Sequence, residues 1–206
     1  MSVVAIREVT PMTGKEELVE NRMKRAADIV TKHGAQTRLW RVAAGQGASD
    51  YIMMSMYETF AKGANAFQNF MSDPDMIALN KERGKEPAAE IRGPNVYRMA
   101  YGAPTSPPRP ILVQRMYHMP RKNMASALAL APELDKIMQT QDVSIGIGVP
   151  IVADDHETMG VVYRFNSMEH WGKAVDAMIE NQEFVSIVEK ANALGTLKSS
   201  RILVSM

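Results

Sequence analysis

The pattern of this sequence returns 108 residues on, about a Pro-rich break, and that return limits the fold more than any other feature. Arg7 recurs as Arg115, Phe60 as Met168, Ala66 as Ala174, Phe70 as Met178 and Met76 as Phe184. Identities are few, yet the apolar spacing persists without a gap, which predicts an internal duplication. The break, "GAPTSPPRP" from Gly102 to Pro110, holds four prolines and favours an extended spacer. It divides the chain into a first repeat over 1–101, a linker over 102–110 and a second repeat over 111–206.

Each half reads strand, helix, strand, strand, helix, strand. In the first, "VVAIREV" alternates as a strand. Thr13 and Glu16 predict a capping box for a helix carrying Val19, Met23, Ala26 and Val30 on one face and closed by Gly34. "QTRLWRV" and "DYIMMSMY" follow as strands joined by a Gly-containing hairpin. Thr59 starts a helix with Phe60, Ala64, Phe67 and Met71 at helical spacing, "SDPD" breaks it, a short helix covers Met76 to Leu79, and "NVYRMAY" closes the half. The second half repeats the order with "ILVQRMYH", a helix through Ile137, "DVSIGIGVP", "TMGVVYRF", a helix from Ser167, a helical turn around Phe184 to Val188, and "SRILVSM". Pro132 lies inside the first of these helices, which should kink or split there.

A βαββαβ half folds most simply as a four-stranded antiparallel sheet with both helices on one face, so the class is α+β with two tandem ferredoxin-like repeats. The strands are apolar on both sides, and the two free sheet faces can cover each other. The halves are therefore expected to pack sheet to sheet as an intramolecular pseudo-dimer, with a ligand-sized space between the sheets or between a sheet and its helices. Association into a further homodimer is left open. So is the facing of the first strands, because Val3/Ala5 and Val4/Ile6 are equally apolar; on it depends whether Arg7 and Arg115 or Gln114 and His118 line the cavity.

The composition narrows the chemistry. Lys and Arg total 24 against 23 Asp and Glu, a net charge of +1, so no overall field favours nucleic acid or an anionic membrane. Tandem RNA-recognition domains share the element order, but "DYIMMSMY" and "TMGVVYRF" lack the aromatic and glycine pattern of their RNA-binding strands. The absence of cysteine excludes disulfides, thiolate metal sites and cysteine nucleophiles. The opening "MSVVAIREVT" lacks a basic leader with a long apolar run, and nowhere do 18 apolar residues follow one another, so a cytoplasmic location is expected. The 17 methionines fill a core softly or line a tolerant cavity.

The stretch "YETFAKGANAFQNFMSDPDMIAL", Tyr57 to Leu79, and its counterpart "FNSMEHWGKAVDAMIENQEFVSIV", Phe165 to Val188, resemble NIPSNAP-type and antibiotic-biosynthesis-monooxygenase-type domains of the dimeric α/β-barrel superfamily, here in tandem form. The resemblance covers nearly the whole chain. It implies the fold and, among functions, cofactor-independent monooxygenases of phenolic substrates, haem-degrading and haem-dependent enzymes, isomerases, lyases and members with no established activity. The Asn, Trp and His that shape the pocket in two of those branches are not carried over. Arg7 and Arg115 stand where an Asn would, and the second-helix Trp is present once, as Trp171.

Several residues are candidates for a site. In "SIGIGVP", Gly146 and Gly148 leave one strand face nearly empty, and the offset sets them against Arg38 and Trp40, which are expected to reach toward that hollow. A bulge or a close helix approach would explain the glycines equally well. Arg7 and Arg115, in mid-strand, suit bidentate binding of a carboxylate, or pairing with an acid such as Glu8 or Glu58. His118, ending its strand beside Tyr117, and His170, beside Trp171, are the candidate catalytic bases or haem ligands, against the alternative of solvated or capping groups. Tyr51, Tyr57 and Tyr163 share strand parity with Met53 and Val161 and would form one wall. "ADDHET", Ala153 to Thr158, reads as a solvated turn and not a metal site. His33 beside Gly34 suits a helix C-terminus.

The expected function is a small-molecule-binding α/β-barrel protein, an oxygenase or isomerase acting on a hydrophobic, aromatic or carboxylated metabolite, with no cofactor. The alternatives are a non-catalytic ligand-binding or regulatory module and a haem-binding protein.

Overall fold

The computed structural model describes residues 2–206. The first half runs β1 (Val3–Pro11), α1 (Glu16–Lys32), β2 (Gln36–Gly45), β3 (Tyr51–Tyr57), α2 (Phe60–Met71), α3 (Pro74–Lys85) and β4 (Ala89–Tyr101). The second runs β5 (Ile111–His118), α4 (Met124–Ala129), α5 (Ala131–Gln139), β6 (Ser144–Val152), β7 (Thr158–Phe165), α6 (Met168–Ile179), α7 (Gln182–Asn192) and β8 (Thr196–Ser205). Pro132 splits the helix before β6 into α4 and α5 and sits in the first turn of α5, where its missing N–H costs nothing.

The helix caps share the 108-residue spacing. Thr59 accepts from the Lys62 N–H at 3.1 Å, and Ser167 from the His170 N–H at 3.0 Å. Asp73 accepts from the Asp75 N–H at 2.9 Å, and Asn181 from the Phe184 N–H at 2.9 Å. Three local expectations differ. Thr13 caps nothing: α1 begins after Lys15 with no side-chain cap, and Glu16 instead accepts from the Gly14 N–H. Helix α3 continues six residues past Leu79, to Lys85. In α2 the buried residues are Ala66 and Phe70, while Phe60, Phe67 and Met71 face solvent. The helix lies so close over β3 that a Cβ on Gly63 would sit 3.3 Å from the Tyr57 ring, which turns its Gly63, Ala66 and Phe70 side inward.

All eight strands join in one closed antiparallel barrel, in the order β1, β3, β2, β8, β5, β7, β6, β4. Within each half the pairing is ferredoxin-like. The halves meet edge to edge, β2 on β8 and β4 on β6, so among the described residues no strand edge is left unpaired. Three cores result. One lies between the first sheet and α1 to α3, around Met23, Val30, Met53 and Leu79. A second lies between the other sheet and its helices, around Ile137, Ile145, Val161 and Phe165. The third fills the barrel lumen with Trp40, Val42, Ile52, Leu112 and Leu203. On β1, Ala5 and Val9 pack toward the helices, whereas Val4 and Ile6 line the lumen. Among the described residues no helix is long and apolar enough to cross a membrane.

Candidate binding site beneath the first-half helices

Because odd positions of β1 face the helices, Arg7 is carried under α2 and α3. It lines a cavity of about 220 Å³ with Met23, Met53, Phe70, Met76, Asn80 and Arg83. A second lobe of about 100 Å³ shares Val9, Met23, Arg83 and Ile91 and adds Arg22. Arg83 reaches the cavity because Met76, Leu79, Asn80 and Arg83 recur at helical spacing on the buried side of α3.

The walls are apolar and the polar groups nearly all cationic. The Arg7 guanidinium lies over the Phe70 ring, 5.9 Å from its centroid. Arg83 donates to Asn80 Oδ1 at 3.2 Å. Among the described residues neither guanidinium has a carboxylate within 4.0 Å. Burial pushes the pKa of Arg7 down, partly countered by Tyr57; burial also lowers that of Arg83, the charges of Arg7, Arg22 and Arg25 lower it further, and Glu82 pulls it back in part. The nearby acids are committed elsewhere: Glu82 holds Arg25 in a two-pronged bridge at 2.7 and 2.9 Å, and Glu86 takes Lys15 at 2.6 Å. Arg22 donates to the Glu86 carbonyl oxygen at 2.8 Å, but its Nε is buried with no partner. Burial raises the Tyr57 phenol while the Arg7 charge pulls it down. This arrangement can hold an anion, since two fork-shaped cations face an apolar space that no carboxylate lines.

The equivalent space in the second half is different. Arg115 lies 5.3 Å from the centroid of the Tyr163 ring in a cavity of about 100 Å³, and Val188 and Ala191 stand at the places of Asn80 and Arg83. Tyr51 and Tyr163 are buried in the two helix-side cores, and burial pushes the Tyr163 phenol pKa up.

Arg38, Trp40, Gly146 and Gly148 face the lumen, away from Arg7. The space above the glycines is occupied: a Cβ on Gly146 would lie 2.6 Å from Arg164 Nη2, and one on Gly148 would lie 3.4 Å from the Tyr97 Cβ. The absent side chains make room for Arg164, which donates to the Ile145 carbonyl oxygen at 2.9 Å. The two histidines lie in neither place. His118 is half exposed at its strand end, 3.9 Å from Glu157. His170 has both ring nitrogens engaged, Nε2 donating to the Gln141 carbonyl oxygen at 2.7 Å and Nδ1 accepting from the Asn166 N–H at 3.1 Å. His33 bonds Asp73 at 2.8 Å, and among the described residues no group of three His, Asp or Glu could hold a metal ion.

No family model matches the sequence, and no curated protein matches it. Solved structures do. An anthrone oxidase-like protein aligns over 100% of this chain and 91% of its own at 11% identity and a TM-score of 0.65. A proposed monooxygenase from Fusobacterium nucleatum aligns over 99% and 92% at 8% identity and a TM-score of 0.62. A chlorite dismutase mutant from Candidatus Nitrospira defluvii aligns over 100% and 90% at 10% identity and a TM-score of 0.57. The fold is that of the dimeric α/β barrels, with both halves supplied by one chain.

Proposed function

We propose that the chain binds a hydrophobic small molecule bearing a carboxylate or another oxyanion in the first-half cavity. The observation that carries this reading is Arg7 and Arg83 facing one apolar space with no carboxylate within 4.0 Å of either among the described residues. The anion would lie between the two forks, and the body of the ligand against Met23, Met53, Phe70 and Met76, whose flexible thioethers fit varied shapes. The likeness to oxygenase-type barrels supports an extension to a cofactor-independent monooxygenase or isomerase. A phenolate held by Arg7 and Arg83 is stabilised as a carboxylate is, and phenolates are the charge state in which phenols are oxidised. The non-catalytic alternative is favoured by one observation, that neither His118 nor His170 reaches the cavity. Haem binding stays as the further alternative, supported by the likeness to chlorite dismutases; no histidine lines either cavity, so an axial ligand would come from Tyr97 or a methionine of the lumen. The matching helix caps and element bounds support the reading of a duplicated chain with repeats over 1–101 and 111–206; the NIPSNAP or monooxygenase type and a cytoplasmic location belong to the proposal on the sequence reading alone.

The test is a thermal-shift screen of purified protein with aromatic carboxylates and phenols against their neutral amides and ethers, with oxygen uptake followed for every stabilising phenol. Stabilisation by 1-naphthoate and not by 1-naphthamide is the expected result. Equal stabilisation by both, or by neither, contradicts the anion site. Oxygen uptake that stops in Arg7→Met supports the oxygenase extension, and binding without uptake supports the non-catalytic module.

A further inference from the structure

The barrel lumen carries a second imbalance of charge, independent of the helix-side cavity. Its far end is neutralised: Arg201 bridges Glu8 at 2.6 Å and donates to Gln114 Oε1 at 2.8 Å. The end beneath the linker is not. There a chamber of about 100 Å³, walled by Met54, Met56, Met99 and Met116, receives Arg38 from β2 and Arg164 from β7. Neither has a carboxylate within 4.0 Å among the described residues. Arg164 spends one nitrogen on the Ile145 carbonyl oxygen. Burial, with the charges of Arg109 and Arg38 and against a smaller upward pull from Asp135, lowers its pKa to about 10, so it stays charged at neutral pH beside a like charge in an apolar wall. Two residues along β2 from Arg38, Trp40 is 3% exposed and its Nε1 is a buried donor with no partner. A buried N–H without an acceptor costs about 1–3 kcal/mol in general, which an acceptor on a ligand would recover. Pro104, Thr105 and Arg109 of the linker border the opening.

We propose that the lumen is a second ligand site, which takes a small carboxylate with an apolar body, the carboxylate lying between Arg38 and Arg164 and the body on the methionine wall. Two like charges and an orphan donor converging on one apolar chamber are what an anionic acceptor resolves. The enclosed space is smaller than the apolar cavity of about 150 Å³ that accommodates benzene, so the ligand is a short carboxylate, or a benzoate whose ring extends into the opening bordered by Pro104, Thr105 and Arg109. Gly146 and Gly148 belong to this site indirectly, by making the space in which Arg164 and Tyr97 sit.

The experiment uses Trp171→Phe protein, in which Trp40 is the remaining indole, and follows its fluorescence during titration with benzoate and with neutral benzamide. A saturable change with benzoate, with a Kd about tenfold or more tighter than for benzamide, is expected. Arg38→Met should weaken benzoate by about tenfold or more, Arg38→Lys by less because it keeps the charge and loses the fork, and Arg7→Met should leave it unchanged. Arg164 is left intact because it braces the β6 backbone. An unsaturable response, equal binding of benzamide, full affinity in both Arg38 variants, or loss of affinity in Arg7→Met instead would each overturn the lumen site. The last of these would leave the helix-side site standing.

Discussion

At the scale of single residues, the glycines separate into those that make room and those that do not. Gly146 lets Arg164 lie flat in the lumen, where its guanidinium is fixed by the Ile145 carbonyl. Gly146→Ala is therefore expected to destabilise the protein by about 1–3 kcal/mol, the usual cost of overpacking, measured by urea denaturation. Gly172, inside α6, has nothing within 4 Å of a Cβ position. Gly172→Ala should stabilise by about 0.5–1 kcal/mol through helix propensity. Equal effects of the two substitutions would contradict this account of the glycine stripe. The stripe was visible in the sequence, although the side chains over it are Arg164 and Tyr97 and not the expected Arg38 and Trp40, which stand elsewhere on the lumen wall. Arg164 was not visible there, because whether β7 turns its even or odd positions inward depends on a pairing register that the residues of β7 alone do not reveal. Arg83 escaped for another reason: a helix ended at Leu79 stops one turn short of it, although Met76, Leu79 and Arg83 share a helical face.

At the scale of elements, Asp73 ties three helices together. It caps α3 through the Asp75 N–H, accepts His33 at 2.8 Å and pairs with Lys32 at 3.0 Å from the end of α1, directly after α2 closes. The His33 hydrogen bond first, then Lys32 and the Asp75 backbone, hold its carboxyl well below the usual carboxylate range. With the folded-state value depressed, its stabilisation is complete above the unfolded value of about 3.9 and disappears as the pH falls through the folded value beneath it. Asp73→Asn should thus melt a few degrees below the parent near pH 6, with the gap closing as the pH drops below about 3.9. A gap that does not depend on pH would show that the charge of Asp73 is not what matters. The order of elements could be read from the alternation of "VVAIREV" and the 3.6-residue spacing of Val19, Met23, Ala26 and Val30. The exposed stripe of α2 could not, since its orientation is decided by the close contact of Gly63 with Tyr57 and not by hydrophobicity.

At the scale of the molecule, the two halves complete one barrel. The pseudo-dimer was legible because the strands are apolar on both faces. The edge pairing of β2 with β8 and β4 with β6 was not, because backbone hydrogen bonds leave little trace in side-chain pattern. The lumen core takes Trp40 and Ile52 from the first half and Leu112 and Leu203 from the second, so neither half can lose its fold without uncovering the other. Unfolding is expected to be a single transition, with Trp40, followed in Trp171→Phe, and Trp171, followed in Trp40→Phe, reporting the same denaturant dependence once each variant's own stability is allowed for. Two separate transitions in the parent protein would contradict a shared core.

The measurement that bears most directly on the function is isothermal titration of 1-naphthoate into the parent protein and into Arg7→Met/Arg83→Met. Two guanidiniums facing an apolar cavity that no carboxylate lines predict saturable binding that weakens by about a hundredfold or more in the double variant, since each charge-assisted hydrogen-bonding group removed is worth about tenfold or more. Binding of equal affinity in both proteins, or no binding to the parent, would contradict the assignment of this cavity as an anion-binding site.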